Sequence, residues 1–402
     1  MTCSPRRDRR VLSLAGALAA SLALPAALTA QGYRDYRAPN FQDFGLVRAR
    51  PTPWKTGFVV RGGLAGSLAA DEDEALALEN ATAFDGFAWF RGDHLGDREA
   101  QLDLYAARDG VIASIRDGRP EETGGRLELS GRFFPKWREG FYRGDTYVPT
   151  GQYEGRDFGA YLGFAAPIAD GMTAEIGPFW RRYEFERGDQ TLATYTIPDD
   201  FDTFGGRAQF QHESLAFDRE YGRPVDGFLL AIRVEYEHNG SDQPFGTALW
   251  TSSLPSAFWR GGGHLEWYFP QGDGSVWEWQ LDASMSDESD RVHNFDASKP
   301  AGHLWVDTSI GYRLDFGAMA LTPSGRGQFT RTVEESGSGA SDKFWFGGGF
   351  HLDWRLGDNF SVIGDYSYLS NANRPTVAWD RDVGGEHQFF AGLELRFGTT
   401  GR

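Results

Sequence analysis

The clearest structural signal in the sequence is the run LWVDTSIGYRLDF at Leu304–Phe316. Apolar side chains occupy nearly every second position of this run, and Asp307 and Arg313 lie among the intervening positions. Successive side chains of a β-strand point to opposite faces, so this period of two predicts a strand with one apolar and one charged face. The same alternation recurs at Leu230–Glu237 and Trp277–Met285.

Shorter alternating runs continue from Lys55 to Phe397, separated by turn segments rich in Gly, Asp, Asn, Ser and Pro. Counting the runs predicts about sixteen antiparallel strands, within a range of roughly 14–18. Beyond Ala30 no apolar run is long enough to cross a bilayer as a helix. We therefore expect an all-β fold, a transmembrane antiparallel β-barrel, because a closed sheet leaves no unpaired strand edge in lipid. A soluble sandwich or propeller is the alternative.

The chain divides into four predicted segments. Residues 1–30 have the layout of a secretory signal peptide, with four arginines before an apolar stretch and small residues at the cleavage site; an uncleaved membrane anchor is the alternative. Residues 31–54 lack periodicity and are expected to form a periplasmic tail or a plug in the lumen. The barrel spans 55–397, and 398–402 form a short C-terminal extension.

The composition excludes several classes of protein. Aromatic residues make up 15% of the chain, which is too many for a disordered protein. Lys plus Arg number 40 against 57 Asp plus Glu, with a net charge of −17, so a general nucleic-acid binder is not expected. Cys3 is the single cysteine and precedes the apolar stretch, so the mature chain has neither disulfides nor thiolate ligands.

In a membrane barrel the charged faces line the interior, and the apolar faces meet lipid. The pore-lining candidates are Arg126, Glu128, Arg132, Arg182, Glu184, Glu186, Arg233, Glu235, Glu237, His264, Glu266, Glu278, Asp282, Asp307, Arg313, His351 and Asp353. The membrane-facing candidates are Leu230, Ile232, Val234, Tyr236, Trp277, Trp279, Leu304, Val306, Ile310, Tyr312, Phe389, Leu393, Leu395 and Phe397. Charged rings can bias which solutes pass a pore. The alternative is a salt-bridged interior that fills itself and conducts little.

Two pairs of residues suggest chemistry in the lumen. His264 shares a strand face with Glu266, and His351 shares one with Asp353. A His–carboxylate site for a metal ion or for acid–base chemistry is one interpretation; two similar strands facing a wet interior is the other. Neither a His-Glu-x-x-His nor a Gly-x-Ser-x-Gly motif occurs. We therefore predict no catalytic residues, no metal site and no cofactor.

The end of the chain resembles the terminal strand of Gram-negative outer-membrane proteins. Phe397 is the closing aromatic residue, and Leu395, Leu393, Ala391 and Phe389 precede it at intervals of two. This resemblance implies an outer-membrane location and insertion by the barrel-assembly machinery. It also implies contact with outer-membrane lipid and lipopolysaccharide.

A second resemblance is carried by FDREYGRPVDG at Phe217–Gly227. This segment is similar to the Asp-x-Arg…Pro-x-x-Gly pattern that begins a strand in surface-antigen barrels of the BamA and TamA type. The resemblance implies a role in the assembly of outer-membrane proteins or lipids. Those proteins carry periplasmic modules before the barrel, and residues 31–54 are too few to form one.

These observations lead to one main functional expectation and two alternatives. The main expectation is a passive outer-membrane pore, of the porin kind, for small hydrophilic solutes or ions, without enzymatic activity. The first alternative is a surface-antigen-type barrel in outer-membrane assembly. The second is a barrel enzyme or an adhesin.

We expect the mature protein to begin at Gln31, because the small residues that end the apolar stretch form the cleavage site. The intact mass of the protein purified from outer membranes checks this expectation. A mass that includes residues 1–30 would contradict it.

Overall fold

The computed structural model describes the barrel strands and part of their connections. The described residues are 56–69, 81–92, 100–107, 110–117, 123–131, 141–143, 146–148, 154–188, 191–218, 220–248, 250–253, 256–272, 274–286, 302–332, 342–371, 376–377, 381–382 and 385–399. The predicted signal peptide and the predicted tail or plug at 31–54 lie outside them.

Sixteen strands build one large antiparallel sheet. In chain order they are β1 (Thr56–Ala69), β2 (Ala81–Gly92), β3 (Ala100–Ala107), β4 (Gly110–Asp117), β5 (Gly124–Gly131), β6 (Glu154–Ala169), β7 (Met172–Glu186), β8 (Phe201–Glu213), β9 (Pro224–Asn239), β10 (Ala257–Pro270), β11 (Val276–Ser286), β12 (Gly302–Phe316), β13 (Met319–Thr332), β14 (Asp342–Gly357), β15 (Phe360–Asn371) and β16 (Gly385–Thr399). Short strand pairs also occur in the connections, at Phe141–Arg143 with Thr146–Val148, Pro244–Thr247 with Trp250–Ser253, and Thr376–Val377 with Arg381–Asp382, and Ala216–Phe217 pairs with the start of β9.

Each strand pairs with the next one along the chain, and the last strand returns to the first. β16 pairs with β1 over fourteen residue positions, from Thr56 opposite Thr399 to Ala69 opposite Glu386. The sheet is therefore closed, and the prediction of an all-β antiparallel barrel of about sixteen strands is confirmed. Gly398 and Thr399 belong to β16, so the strand continues for two residues beyond the aromatic Phe397.

The two ends of the barrel are here called the terminal end and the loop end. The terminal end holds Thr56 and Thr399, and three of its connections are turns of two residues, at 170–171, 317–318 and 358–359. The loop end lies opposite and carries longer connections, such as 187–200 and 240–256. This difference matches the alternation of short turns and longer loops that barrel sequences of this kind show.

The two faces of the strands differ in chemistry. Along β9, Arg233, Glu235 and Glu237 are at most 1% exposed, whereas Val234 and Tyr236 are 49% and 59% exposed. The charged face is thus the buried inward face, and the apolar face is turned outward. Within the described residues, no helix is both long and apolar enough to span a bilayer.

Part of the interior is apolar. Val59, Phe87, Trp89, Tyr105 and Ile112, on β1 to β4, form a buried inward-facing cluster. The rings of Phe87 and Tyr105 stack with their centroids 5.7 Å apart. On this side of the barrel, side-chain packing therefore occupies space that a wide aqueous pore would leave to water.

Glycine permits a close approach of two neighbouring strands at one point. A Cβ atom on Gly177 of β7 would lie 2.0 Å from the carbonyl oxygen of Leu162 and 2.8 Å from Cα of Gly163, both on β6. These positions fall between the paired stretches of the two strands. Only a residue without a Cβ fits there.

We expect Gly177→Ala to destabilise the barrel by about 1–3 kcal/mol, since the added methyl group forces the two backbones apart. Urea unfolding of the protein refolded in lipid vesicles measures this change. Gly206→Ala on β8 is the matched control, because a Cβ there has no neighbour within 4 Å. Equal stability of the two variants would contradict the expectation.

Candidate functional site: the ion-paired interior

Most of the predicted pore-lining residues lie on the inward face. The thirteen that do are Arg126, Glu128, Arg233, Glu235, Glu237, His264, Glu266, Glu278, Asp282, Asp307, Arg313, His351 and Asp353. Arg132 lies outside the described residues. All fourteen membrane-facing candidates lie on the outward face.

The prediction for three residues of β7 is corrected by the structure. Arg182, Glu184 and Glu186 lie on the outward face, which they share with the 65% exposed Ile176. Arg182 and Arg156 both donate hydrogen bonds to the Glu184 carboxylate there. The physical reason is that charged residues occupy both faces of β7 near the loop end, where Arg181 takes the inward position beside Arg182.

A buried ionic cluster joins β5, β7, β8, β9 and β10. Its members, here called the ionic cluster, are Arg126, Glu128, Glu175, Arg181, Arg207, Arg233, Glu235, Glu237 and Arg260. Glu235, at 1% exposure, lies at its centre. Oε1 of Glu235 accepts a hydrogen bond from Nε of Arg207 at 2.8 Å, and Oε2 accepts from Nε and Nη2 of Arg260 at 2.8 and 2.6 Å.

The ionic cluster reaches across several strands. Nη1 of Arg207 on β8 donates to Oε1 of Glu128 on β5 at 2.8 Å, although β6 and β7 separate these strands in the sheet. Nη2 of Arg126 donates to the other oxygen of Glu128, also at 2.8 Å. Arginine suits this position because its planar guanidinium carries five donors and can serve two carboxylates at once.

Glu237 extends the cluster toward the loop end. Its Oε1 accepts hydrogen bonds from the Tyr183 hydroxyl at 3.1 Å and from Oγ1 of Thr203 at 2.6 Å. Its Oε2 accepts from Nη1 of Arg181 at 3.1 Å. Glu237 is 0% exposed, so these donors take the place of the water that a carboxylate would otherwise need.

At the loop end, a folded connection packs on inward side chains of β7 and β8. Phe245, in the hairpin between β9 and β10, is 1% exposed and packs with Tyr183 and Phe201. The backbones of Thr196 and Gly246 exchange two hydrogen bonds of 2.7 Å, which join this connection to the one between β7 and β8. Two loops thus meet over the ionic cluster.

Further ion pairs line β11 to β13. Nη1 of Arg313 donates to Glu278 at 3.0 Å, and Nε of Arg313 donates to Asp315 at 3.0 Å. Arg326 makes a two-point contact with Asp307, at 3.0 and 2.5 Å. The charged side chains of β11 to β13 named here are therefore also paired with one another.

The two histidines have different partners. Nε2 of His264 lies 2.9 Å from Glu266, as the sequence pairing predicts, and Nδ1 lies 3.1 Å from Asp282. Nδ1 of His351 lies 2.5 Å from Asp365 on β15, a residue that the sequence reasoning did not select. Both ring nitrogens of His264 thus face carboxylates. Within the described ranges, no group of three His, Cys, Asp or Glu side chains has an arrangement that could hold a metal ion.

The segment that resembles surface-antigen barrels, Phe217–Gly227, covers the end of the turn between β8 and β9 and the start of β9. The described residues of this turn, 214–218 and 220–223, are here called the Arg223 turn. The Asp218 carboxylate accepts a hydrogen bond from the backbone N–H of Arg223 at 2.9 Å and another from that of Tyr221. Gly222 has φ of +61°, a conformation that favours glycine. A hydrogen bond from the Tyr221 hydroxyl to Glu220 raises the pKa of that tyrosine.

Arg223 reaches from this turn into the interior, which sequence reasoning missed. The residue is 5% exposed and contacts Asp315 and Asp353, on β12 and β14. A cavity of about 80 Å³ lies beside it, lined also by Glu266, Glu278 and other inward residues of the terminal end. The signal in the sequence is the position of Arg223 between Gly222 and Pro224, which predicts a turn but not the direction of the side chain.

Comparison with known proteins identifies the fold. No protein-family profile and no curated protein matches the sequence. Among solved structures, CdiB from Acinetobacter baumannii superposes with a TM-score of 0.50 at 12% identity, over 85% of this chain and 60% of CdiB. The fold is that of an outer-membrane β-barrel. BamA from Haemophilus ducreyi lacking POTRA domains 1–3 gives a TM-score of 0.49 at 11% identity, over 96% of this chain and 78% of that one. Because the match covers 60% of CdiB, this chain spans less than two thirds of the length of that protein.

We expect Glu235→Gln to lower the free energy of unfolding by about 3–5 kcal/mol, because it leaves buried arginine charge without its counter-charge. Urea unfolding in lipid vesicles provides the measurement. Glu184→Gln is the matched control, since Glu184 also binds two arginines but on the outward face, and we expect a much smaller loss. A Glu235→Gln variant as stable as the control would show that the cluster is not a structural element.

Proposed function

We propose that this chain is an outer-membrane barrel that takes part in the assembly or export of outer-membrane proteins or lipids. The observation that carries the proposal is the ionic cluster, in which buried charges of β5 to β10 neutralise one another. A passive pore would instead present its charges to water along a continuous path. The resemblance of Phe217–Gly227 to surface-antigen barrels supports the same class.

The ionic cluster opposes free diffusion for an energetic reason. Separating a buried ion pair leaves an uncompensated charge, at a cost of about 3–5 kcal/mol for each broken pair. Glu128, Glu235 and Glu237 each face at least one guanidinium. The acidic surplus of the whole chain is therefore not available, in this cluster, to select cations from solution.

The seam between β1 and β16 offers another route for a substrate. β1 and β16 are the first and last strands of the barrel. No turn joins them, and backbone hydrogen bonds hold them together. Gly63 lies opposite Gly392 in the seam, where a Cβ on Gly63 would lie 2.3 Å from the carbonyl oxygen of Ala391. The buried pair of Arg61 and Glu394, at 2.9 Å, adds a side-chain contact across the seam. Parting the seam would open the interior sideways toward lipid without breaking the chain.

The proposal also places the barrel in the outer membrane. The outward face carries the apolar residues that would contact outer-membrane lipid and lipopolysaccharide, and the barrel-assembly machinery would insert the chain. The competing proposal is a passive pore for small hydrophilic solutes, favoured by the polar character of the inward face.

A disulfide across the seam tests the proposal. Leu64 and Ala391 are paired and face outward, so Leu64→Cys with Ala391→Cys, in a Cys3→Ser background, should lock β1 to β16. We expect the locked barrel to lose its activity in its own bacterium and to regain it on reduction. Growth and the protein and lipid content of the outer membrane, measured with and without reductant, report the effect.

The control is a disulfide between two neighbouring strands away from the seam. Ala208→Cys with Val234→Cys joins β8 to β9 at a paired position. It should leave activity unchanged. Full activity of the seam-locked barrel would overturn the seam route. Steady single-channel current from the wild-type protein in planar bilayers, unaffected by the seam lock, would favour the passive pore instead.

A further inference from the structure

The side chain of Arg223 occupies a pocket built from hydrogen-bond acceptors. Nε lies 3.4 Å from Oδ2 of Asp353, and Nη1 donates to Oδ1 of Asp315 and to the carbonyl oxygen of Gly317, both at 3.0 Å. Nη2 donates to the carbonyl oxygens of Ala318 and Asp353, at 3.1 and 3.3 Å. All three guanidinium nitrogens are therefore engaged.

This arrangement selects a guanidinium over an ammonium group. A guanidinium presents five N–H donors in a fixed plane, and the pocket supplies five acceptor contacts around that plane. An ammonium has three donors about a single nitrogen and cannot reach acceptors on both sides of the pocket. Oδ1 of Asp353 is a further buried acceptor in the pocket, and it has no hydrogen-bond partner among the described residues.

The occupant and the pocket belong to separate parts of the barrel. Arg223 comes from the turn between β8 and β9, whereas the acceptors lie on β12, on β14 and in the turn between β12 and β13. β10 and β11 separate the two regions in the sheet. The side chain of Arg223 thus reaches past β10 and β11 to its pocket on β12 and β14.

The Arg223 turn keeps its shape through contacts of its own. Asp218 holds the backbone of the tip, and the backbone of Ser214 donates to Phe228 at 2.9 Å where the turn begins. The β8–β9 ladder, from Thr203 opposite Asn239 to Glu213 opposite Leu229, is separate from the pocket. The tip can therefore leave the pocket without unpairing the barrel.

We propose that this pocket is a guanidinium-binding site whose resident occupant, Arg223, is displaced by an arginine side chain of a polypeptide that arrives at the terminal end. The inference deepens the proposed function and rests on it, since a polypeptide substrate would supply such side chains. The adjoining cavity is lined by the carboxylates of Glu266, Glu278 and Asp353 and, besides Arg223, by the guanidinium groups of Arg313 and Arg396. Once Arg223 has left, the three carboxylates outnumber the two remaining arginines, which favours a cationic segment. Displacement removes the Arg223 turn from the terminal end of the interior.

The resident arginine is tethered, so a free competitor must be concentrated. A short tether gives an effective concentration of about millimolar order, and millimolar peptide should therefore displace roughly half of the turns. A segment held at the mouth of the barrel reaches such a local concentration. An isolated arginine at low concentration does not, which keeps the Arg223 turn docked at rest.

A spin label on the tip of the turn tests the proposal. The label is attached at Glu220→Cys in the full chain with Cys3→Ser, refolded in lipid vesicles, and its mobility is measured by electron paramagnetic resonance. We expect hexaarginine to increase the mobility and hexalysine, at the same concentration and charge, to leave it unchanged. A label at Asp170→Cys, in the β6–β7 turn at the same end, serves as the positional control and should not respond.

Two variants complete the test. Arg223→Ala should give a mobile label without peptide, and hexaarginine should add nothing further. Arg223→Lys, which keeps the charge, should also loosen the tip because three donors cannot serve the pocket. An equal response to both peptides, no response to either, or an immobile label in Arg223→Ala would each overturn the proposal. These outcomes do not depend on whether the β1–β16 seam opens, so the two proposals fail separately.

Discussion

A closed sheet with an apolar outward face places most of its charged side chains inside, and charges that are buried there must neutralise one another. This requirement organises the interior of the barrel. Glu235 satisfies it with two arginines that donate to its two oxygens, and Glu237 with a tyrosine, a threonine and an arginine. Because these donors come from three strands, β7, β8 and β10, neutralising the charge on β9 also fixes how the strands lie relative to one another.

The need to neutralise buried charge also explains three kinds of arginine contact in the interior. The ionic cluster joins neighbouring and distant strands of one wall, the Arg61–Glu394 pair joins the first strand to the last, and Arg223 joins the β8–β9 turn to β12 and β14. Each uses arginine, whose several donors can serve acceptors from more than one element. These contacts are discrete side-chain pairs added to the backbone ladder, and discrete pairs can be exchanged. The proposals of seam opening and of Arg223 displacement both follow from this property.

Local pattern was enough to predict the fold and most of the inward and outward faces. The alternation at Leu304–Phe316 requires no knowledge of partners, because the side-chain period of a strand is a property of the backbone. The pattern was misleading at Arg182, where both faces of β7 are charged near the loop end. A period of two then carries no information about which face is buried, and the register of the neighbouring strands settles the matter.

Alternation along the amino-acid sequence thus predicts the number of strands, their antiparallel order and the polarity of each face. The partners of the inward charges depend on closure of the sheet. Arg207 meets Glu128 from 79 positions away, and Arg223 meets Asp353 from 130 positions away, without any local feature that links them. Such contacts are set by the curvature of the wall and by strand register, which bring side chains together only after the whole sheet has formed.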